Sequence, residues 1–488
     1  MAENILKIRD DECIVLNRSI DGFEITEGKA LSWFASGKSP SKIDLSSLRC
    51  GIEPWLTSLF QSEHLSLLVG TGLSYSLSNL ATTSDMDTKA TDTIIETSEP
   101  TTTNCKKTPM DIPALTSDKY REIILSSVKD IAEKGCRGNA NIEDTIRIIN
   151  ELLRGLEILG HGKLEGEPTP EFLAFTELKD NLKQIISDFT SGISYIEKSI
   201  ANAELLKREE AFGYLVNFLM SFASRSGTRE RLNIFTTNYD RIIEAGAELA
   251  GLHLLDRFTG TLAPIFRSSR LDIDMHYNPP GIRGEPRYLE GVARFTKLHG
   301  SIDWIDTGTD IRRIGLPFGS SDIESFLNAP GLNDVDSRKV MIYPNSAKDR
   351  ETAEYPYVEL FRDFAAALCR PNSTLVTFGY GFGDEHINRV IKDMLTIPST
   401  HLVIISFNDM GGRIIKKYKE IGRHSQITLI IGEDLAGLKT LVDYFLPKPS
   451  IDKASIRMSE LLKQRYSPIP KGESQTECFS ATTGGIEI

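Results

Sequence analysis

Paired cysteines are the first thing this chain lacks. Its six cysteines, Cys13, Cys50, Cys105, Cys136, Cys369 and Cys478, are widely scattered and form no Cys-x-x-Cys pair. That spacing excludes a zinc module and a disulfide framework, and reads as reduced thiols in a cytoplasmic protein. Long apolar runs are lacking as well. None approaches the length a bilayer demands, and the N-terminal MAENILKIRDDE has no signal-peptide pattern, so no membrane association is expected. Positive charge is in deficit: 56 Lys and Arg against 68 Asp and Glu leave a net charge of −12. Direct nucleic-acid binding is therefore not expected. What remains is an ordinary globular composition, 40% hydrophobic and 25% charged over 488 residues, with no evident internal repeat. It suffices for one large domain with extensions, or for two domains.

Residues 1–50 alternate short apolar and polar runs and include the Ser/Lys-rich SGKSPSKIDLSS. They read as an N-terminal extension packed on the main domain or on a neighbouring subunit. A helix is expected at 54–60, then the apolar run LSLLVG as a buried strand ending at Gly70. Residues 76–113 are rich in Thr, Ser and Asp and offer little to bury. They predict a mobile insertion, either a tolerated surface loop or a lid. From 117 to about 225 the apolar spacing turns helical. Tyr120, Ile123, Ile124, Val128 and Ile131 form one stripe; Ile142, Ile146, Ile149, Leu153 and Leu156 form another, with Asn141 as N-cap. Further helical segments cover 172–186 and 195–223.

Strand-like runs then follow one another: IFTT at 234–237, FTKLHG at 295–300, KVMIYPN at 339–345, STLVTFGYG at 373–381, HLVIISFN at 401–408 and ITLIIG at 427–432. Helical stretches intervene at 241–250, 357–368 and 386–395. Continuous apolar strands alternating with helices predict an α/β fold, a parallel sheet covered by helices on both faces, with an inserted helical module at about 114–225. The tail, 448–488, has one amphipathic stretch at 455–464 and a Pro/Gly/Ser/Thr-rich end expected to be disordered.

Several of these strands end in polar groups at the carboxyl side, where open parallel sheets bind ligands. Gly70-Thr71-Gly72 with Ser74 is a strand-to-helix turn that lets a phosphate approach the backbone. It lacks the third glycine of a dinucleotide fingerprint and any Gly-Lys-Ser/Thr, so it is no P-loop. Its plain rival is a tight turn. In IFTTNYD (234–240), Asn238 and Asp240 offer an amide and a carboxylate, and both types also cap helices. His299, beside Gly300 and Ser301, suits a general base or a backbone-bonded turn. The turn GYGFGDEHIN (379–388) opens a helix with Asp384 and His386, for which a mainly structural role is expected.

Taken in order, these motifs resemble the sirtuin-like family, in its bacterial branch of NAD-consuming defence proteins. Gly70-Thr71-Gly72-Leu73-Ser74 matches the family's GAGxS loop. Thr236-Thr237-Asn238-Tyr239-Asp240 matches its Thr-x-Asn-x-Asp turn, Leu298-His299-Gly300 its Leu-His-Gly element, and 379–388 its GYSFGDEHIN-like turn. The resemblance covers roughly 65–432. It implies a Rossmann-like fold, an NAD-binding catalytic domain over 51–447, NAD as substrate and no metal. It implies that Asn238 places water or ribose beside the reacting carbon, that His299 is the base, and that Asp240 contacts the nicotinamide amide or holds the loop. Gly70, Thr71, Gly72 and Ser74 then cradle the pyrophosphate, Thr237 lies against the cofactor, and Gly379 and Asn408 face the adenosine half.

Two departures set the subclass. The four-cysteine zinc module of protein-deacylating sirtuins has no counterpart here, and their Pro-Asp-Phe-Arg segment is replaced by the Thr/Ser-rich stretch. The expectation is therefore an NAD glycohydrolase that depletes NAD in anti-phage defence, a homo-oligomer regulated by a hexameric HerA-like ATPase. Its rivals are a deacylase or ADP-ribosyltransferase on the same scaffold, and a non-catalytic NAD or ADP-ribose sensor.

Overall fold

The computed structural model describes residues 4–19, 22–25, 31–33, 43–82, 120–134, 142–160, 169–225, 229–269, 274–277, 287–320, 332 and 355–448. Its framework is a sheet of ten strands. In chain order these are β1 (Asn4–Lys7), β2 (Ile14–Ser19), β3 (Gly22–Ile25), β4 (His64–Val69), β5 (Asn233–Thr236), β6 (His253–Leu255), β7 (Val292–Lys297), β8 (Ser373–Phe378), β9 (His401–Ser406) and β10 (Ile427–Ile431). Side by side they run β3-β2-β1-β10-β9-β8-β4-β5-β7-β6. The strands from β10 to β6 are all parallel, and β1, β2 and β3 extend the β10 edge antiparallel.

The apolar strands have no polar face because both faces are covered. Leu67, Val69, Ile234, Val376, Phe378, Val403 and Ile405 point into one core. Leu68, Phe235, Leu375, Leu402 and Ile404 point into the other. This two-residue alternation is the pleat of a strand. Helices α1 (Leu45–Phe60), α2 (Thr71–Thr82), α3 (Arg121–Lys134), α4 (Ile142–Gly160), α5 (Pro170–Ala201), α6 (Leu205–Ala223), α7 (Ile242–Leu249), α8 (Tyr357–Leu368), α9 (Glu385–Met394) and α10 (Arg413–Ile421) follow in chain order. Of these, α1, α2, α6 and α7 cover the first face, and α8, α9 and α10 the second. Each fully buried Leu, Ile or Phe contributes about 1.5–3 kcal/mol of hydrophobic stabilisation. The fold is thus the expected Rossmann-like α/β sheet with a helical insertion.

The inserted module is smaller than the helical spacing implies. Its core joins α3, α4 and α5 through Ile124, Val128, Ile146, Ile149, Leu178 and Ile185. The last helix of the stretch, α6, packs Leu215, Phe218 and Phe222 against the sheet instead. A 32-residue α5, capped by Thr169 with Pro170 at its first turn, runs unbroken through the first expected segment (172–186) into the start of the second (195–223), the remainder of which is α6. Pro at a first turn is preorganised for a helix.

The N-terminal residues are not an appendage. β1 continues the main sheet, pairing Ile5 with Ile431 and Leu6 with Ile430. The boundary drawn at residue 50 falls inside α1, which starts at Leu45 behind an Asp44 cap and carries Pro54 in its interior. Reading Pro54 as a helix start placed that helix nine residues late. Leu48, Ile52, Leu56 and Phe60 recur every fourth residue on its buried face, and this packing outweighs the hydrogen bond that proline removes. A second sheet, made of Phe258–Thr259, Ile265–Phe266, Trp304–Asp306 and Ile311–Arg313, had no expected counterpart because its strands are only two or three residues long. The expected strand at 339–345, the Asn141 cap, residues 83–113 of the Thr/Ser-rich stretch and the amphipathic stretch at 455–464 lie outside the described residues. The chain divides into Met1–Pro447, described above, and a terminal unit of which only Lys448 is described.

Candidate active site

The first parallel strand in the chain, β4, lies at the middle of the sheet, with β5 on one side and β8 on the other. Chains that leave such a strand to opposite sides open a crevice at its carboxyl end. Here two glycine turns meet in backbone contact. Gly70 N donates to Phe378 O at 2.9 Å, and Gly72 N to Gly379 O at 3.2 Å. A Cβ on Gly70 would stand 2.4 Å from Gly379 O, one on Gly72 would stand 2.6 Å from Gly379 Cα, and Gly379 itself has φ 63°. All three positions therefore require glycine. Gly379 belongs with the glycine loop as its structural counterpart. Thr71 occupies the exposed first position of α2, while Ser74 is buried one turn on.

The turn after β5 is anchored to that pair. Thr237 N donates to Val69 O at 3.2 Å, and Thr236 Oγ1 bridges, donating to Val69 O and accepting from Asn238 N, each at 3.0 Å. Asn238 Nδ2 donates to Gly70 O and to Ser74 Oγ, both at 3.0 Å. Ser74 Oγ donates in turn to Asp240 Oδ2 at 2.5 Å. This chain fixes the amide: turned over, Oδ1 would face the carbonyl oxygen of Gly70. Oδ1 is left buried with no hydrogen-bond partner among the described residues. A buried acceptor without a donor costs about 1–3 kcal/mol, so the position is suited to a hydroxyl or water brought by a ligand.

Asp240 lies deeper. Its second oxygen accepts from Ile242 N at 3.2 Å at the start of α7. Both oxygens are thus engaged by the chain, and the carboxylate holds the loop. Burial raises its pKa, against the opposing effects of Lys297 and the Ser74 hydrogen bond. Lys297 Nζ donates to the Asp240 carbonyl and, at 2.9 Å, to Glu244 Oε1. Burial pushes Glu244 up to about 7, with Lys297 opposing. The helical module grips the same turn: Arg241 donates to buried Glu197 of α5 and to the Leu316 carbonyl, and Phe189 meets Tyr239 edge-on at 5.5 Å.

His299 stands just past β7, buried and followed by Gly300 at φ 85°. Its ring lies 6.3 Å from that of Tyr239 and 5.7 Å from that of His386. Asp384 and His386 therefore join His299, a gathering that sequence reading missed. The signal available was an acid and a histidine directly after a strand-end glycine turn. Asn408 lies apart from the amide network, exposed past β9. Its Oδ1 accepts from Met410 N at 3.0 Å and its carbonyl from Ser406 Oγ at 2.8 Å, so its side chain shapes its own turn.

Residues 232–426 match the family described as the SIR2-like domain. The match takes in Asn238, Asp240, His299, Gly379 and Asn408 and leaves the loop at 70–74 outside. No curated protein matches the chain. The SIR2-like domain is generally an NAD-dependent enzyme family, so NAD-related chemistry is indicated. Among the described residues no helix is long and apolar enough to cross a membrane.

Proposed function

We propose, from a chain whose residues 232–426 match the SIR2-like domain, that this protein is an NAD glycohydrolase. It cleaves the bond between nicotinamide and ribose. The observation that carries this reading is the fixed amide of Asn238, whose buried Oδ1 awaits a donor beside paired glycine turns. A water or ribose hydroxyl donates to that oxygen. The C–N bond breaks with its electron pair going to the nicotinamide nitrogen, which neutralises the ring's positive charge. The developing sugar cation is oxocarbenium-like, and water adds to the same carbon. His299 takes the proton from that water, a role for which an imidazole is chemically suited. Products are nicotinamide and ADP-ribose. No acid is needed for a leaving group that departs neutral.

Gly70, Thr71 and Gly72 form the pyrophosphate cradle in this reading, with Ser74 holding Asn238 and Asp240 in place. Thr237, Gly379 and Asn408 border the nucleotide. The chain acts as a cytoplasmic homo-oligomer that depletes NAD in anti-phage defence under a hexameric HerA-like ATPase. The missing cysteine pairs support hydrolysis over deacylation, because no four-cysteine zinc module can form.

The test is chromatography of NAD incubated with the protein, alone and with the ATPase. Nicotinamide and ADP-ribose are expected in equal amounts. Asn238→Ala and His299→Ala should each lower release by at least about 100-fold while circular dichroism stays native. Wild-type turnover in both variants refutes the site. Nucleotide binding without nicotinamide release in either condition favours the sensor reading.

A further inference from the structure

His299, Asp384 and His386 reach one point from distant parts of the sheet. His299 follows β7, whereas Asp384 and His386 follow β8, and β5 and β4 lie between those strands. Three strand spacings amount to roughly 14 Å, so the two loops must lean toward each other. They bring one donor atom from each residue within 4.8 Å of the others. Neighbouring strands would do this by default; these do not.

Asp384 supplies an independent sign. It occupies the N-cap of α9, where aspartate is a preferred type because its carboxylate accepts a backbone N–H. Its side chain makes no such cap bond. One of its carboxylate oxygens lies within 4.8 Å of a ring nitrogen of each imidazole. Their orientations are fixed by packing: His386 meets Phe361 edge-on at 4.7 Å, and His299 lies beside Tyr239. The neighbouring Glu385 pairs with Lys417 at 3.2 Å, which leaves Asp384 as the acid of the group.

Two imidazoles and one carboxylate form a donor set for first-row divalent metals of the zinc kind. Bonds of about 2.0–2.1 Å in a tetrahedron place donors about 3.4 Å apart. Half-buried Asp384 and His386 would have to close by up to about 1.4 Å, a movement on the scale of side-chain rotation. We propose that His299, Asp384 and His386 bind a divalent transition-metal ion, with the fourth position open, and that this ion inhibits the enzyme. Inhibition rests on the glycohydrolase reading. A metal bound through His299 holds the lone pair that would take the proton, and its two positive charges repel the cationic nicotinamide.

The experiment uses the full chain, stripped with EDTA and titrated with Co²⁺, whose visible absorption reports tetrahedral binding. One Co²⁺ per chain is expected, displaced by Zn²⁺. Asp384→Asn, an isosteric change, and His386→Ala should each weaken Co²⁺ binding at least about tenfold; the first serves where the second does not fold. No saturable Co²⁺ signal, or wild-type affinity in both variants, overturns the site. In parallel, Zn²⁺ at the concentration that displaces Co²⁺ should suppress nicotinamide release, and EDTA should restore it. Release unaffected by that Zn²⁺ overturns the inhibitory role. Co²⁺ bound through these residues in a chain that never releases nicotinamide upholds the site and removes the glycohydrolase reading instead.

Discussion

At the scale of single residues, the two ends of the Asn238 amide have different roles. Its nitrogen is held by Gly70 and Ser74, and its oxygen is buried with no hydrogen-bond partner among the described residues. Asparagine and aspartate two positions apart look interchangeable in a motif, yet Asp240 is engaged on both oxygens. Glu244 carries a testable pH effect. Its folded pKa of about 7 lies above the 4.5 of a free carboxyl. Its stabilising contribution is therefore complete below about pH 4.5 and lost as pH rises through about 7, on the order of 3 kcal/mol. Asp240, also raised by burial, acts with the same sign. Glu244→Gln should flatten the fall of the urea midpoint between about pH 5 and pH 8. An unchanged slope would mean that Glu244 titrates as a solvated acid.

At the scale of elements, the glycine turns at the ends of β4 and β8 act as one unit. Gly379→Ala adds a Cβ that would stand 2.6 Å from Gly72 Cα at a left-handed φ. It should destabilise the chain by more than about 2 kcal/mol and lower nicotinamide release. Gly155→Ala is the contrast. Nothing lies within 4 Å of its Cβ position in α4, so helix propensity alone predicts a gain of up to about 1 kcal/mol. Thermal melts of the two variants should move in opposite directions; a Gly379→Ala protein as stable as wild type would separate the turns. The anchor between α5 and the Asn238 turn is of the same kind. Buried Glu197 holds Arg241, so the inserted module fixes the Asn238 turn as well as decorating the sheet.

At the scale of the whole molecule, β1 closes the edge of β10, whose five residues are all buried. Asn4 Nδ2 adds a bond to Asp434, and Lys7 Nζ one to the Ile427 carbonyl, at 2.9 and 2.8 Å. Removing residues 1–25 should bare that strand and give an aggregating or much less stable chain, measured by light scattering and thermal melting. A deletion with the wild-type melt would mean a detachable extension after all. The sequence by itself determined much of this protein. Apolar runs without polar alternation marked the central strands, helical spacing marked the insertion, and strand-end motifs offered Asn238, Asp240 and His299 as candidates. Such signals are local, since each arises within one turn of helix or a few residues of strand. The order of strands in the sheet is not local. It alone put Gly379 against Gly70 and Gly72 and joined the N-terminal strands to β10, while the loops after β7 and β8 brought His299, Asp384 and His386 together across two intervening strands. The orientation of the Asn238 amide was decided there too, because the groups that fix it, Gly70 O and Ser74 Oγ, lie more than 160 residues away in the chain.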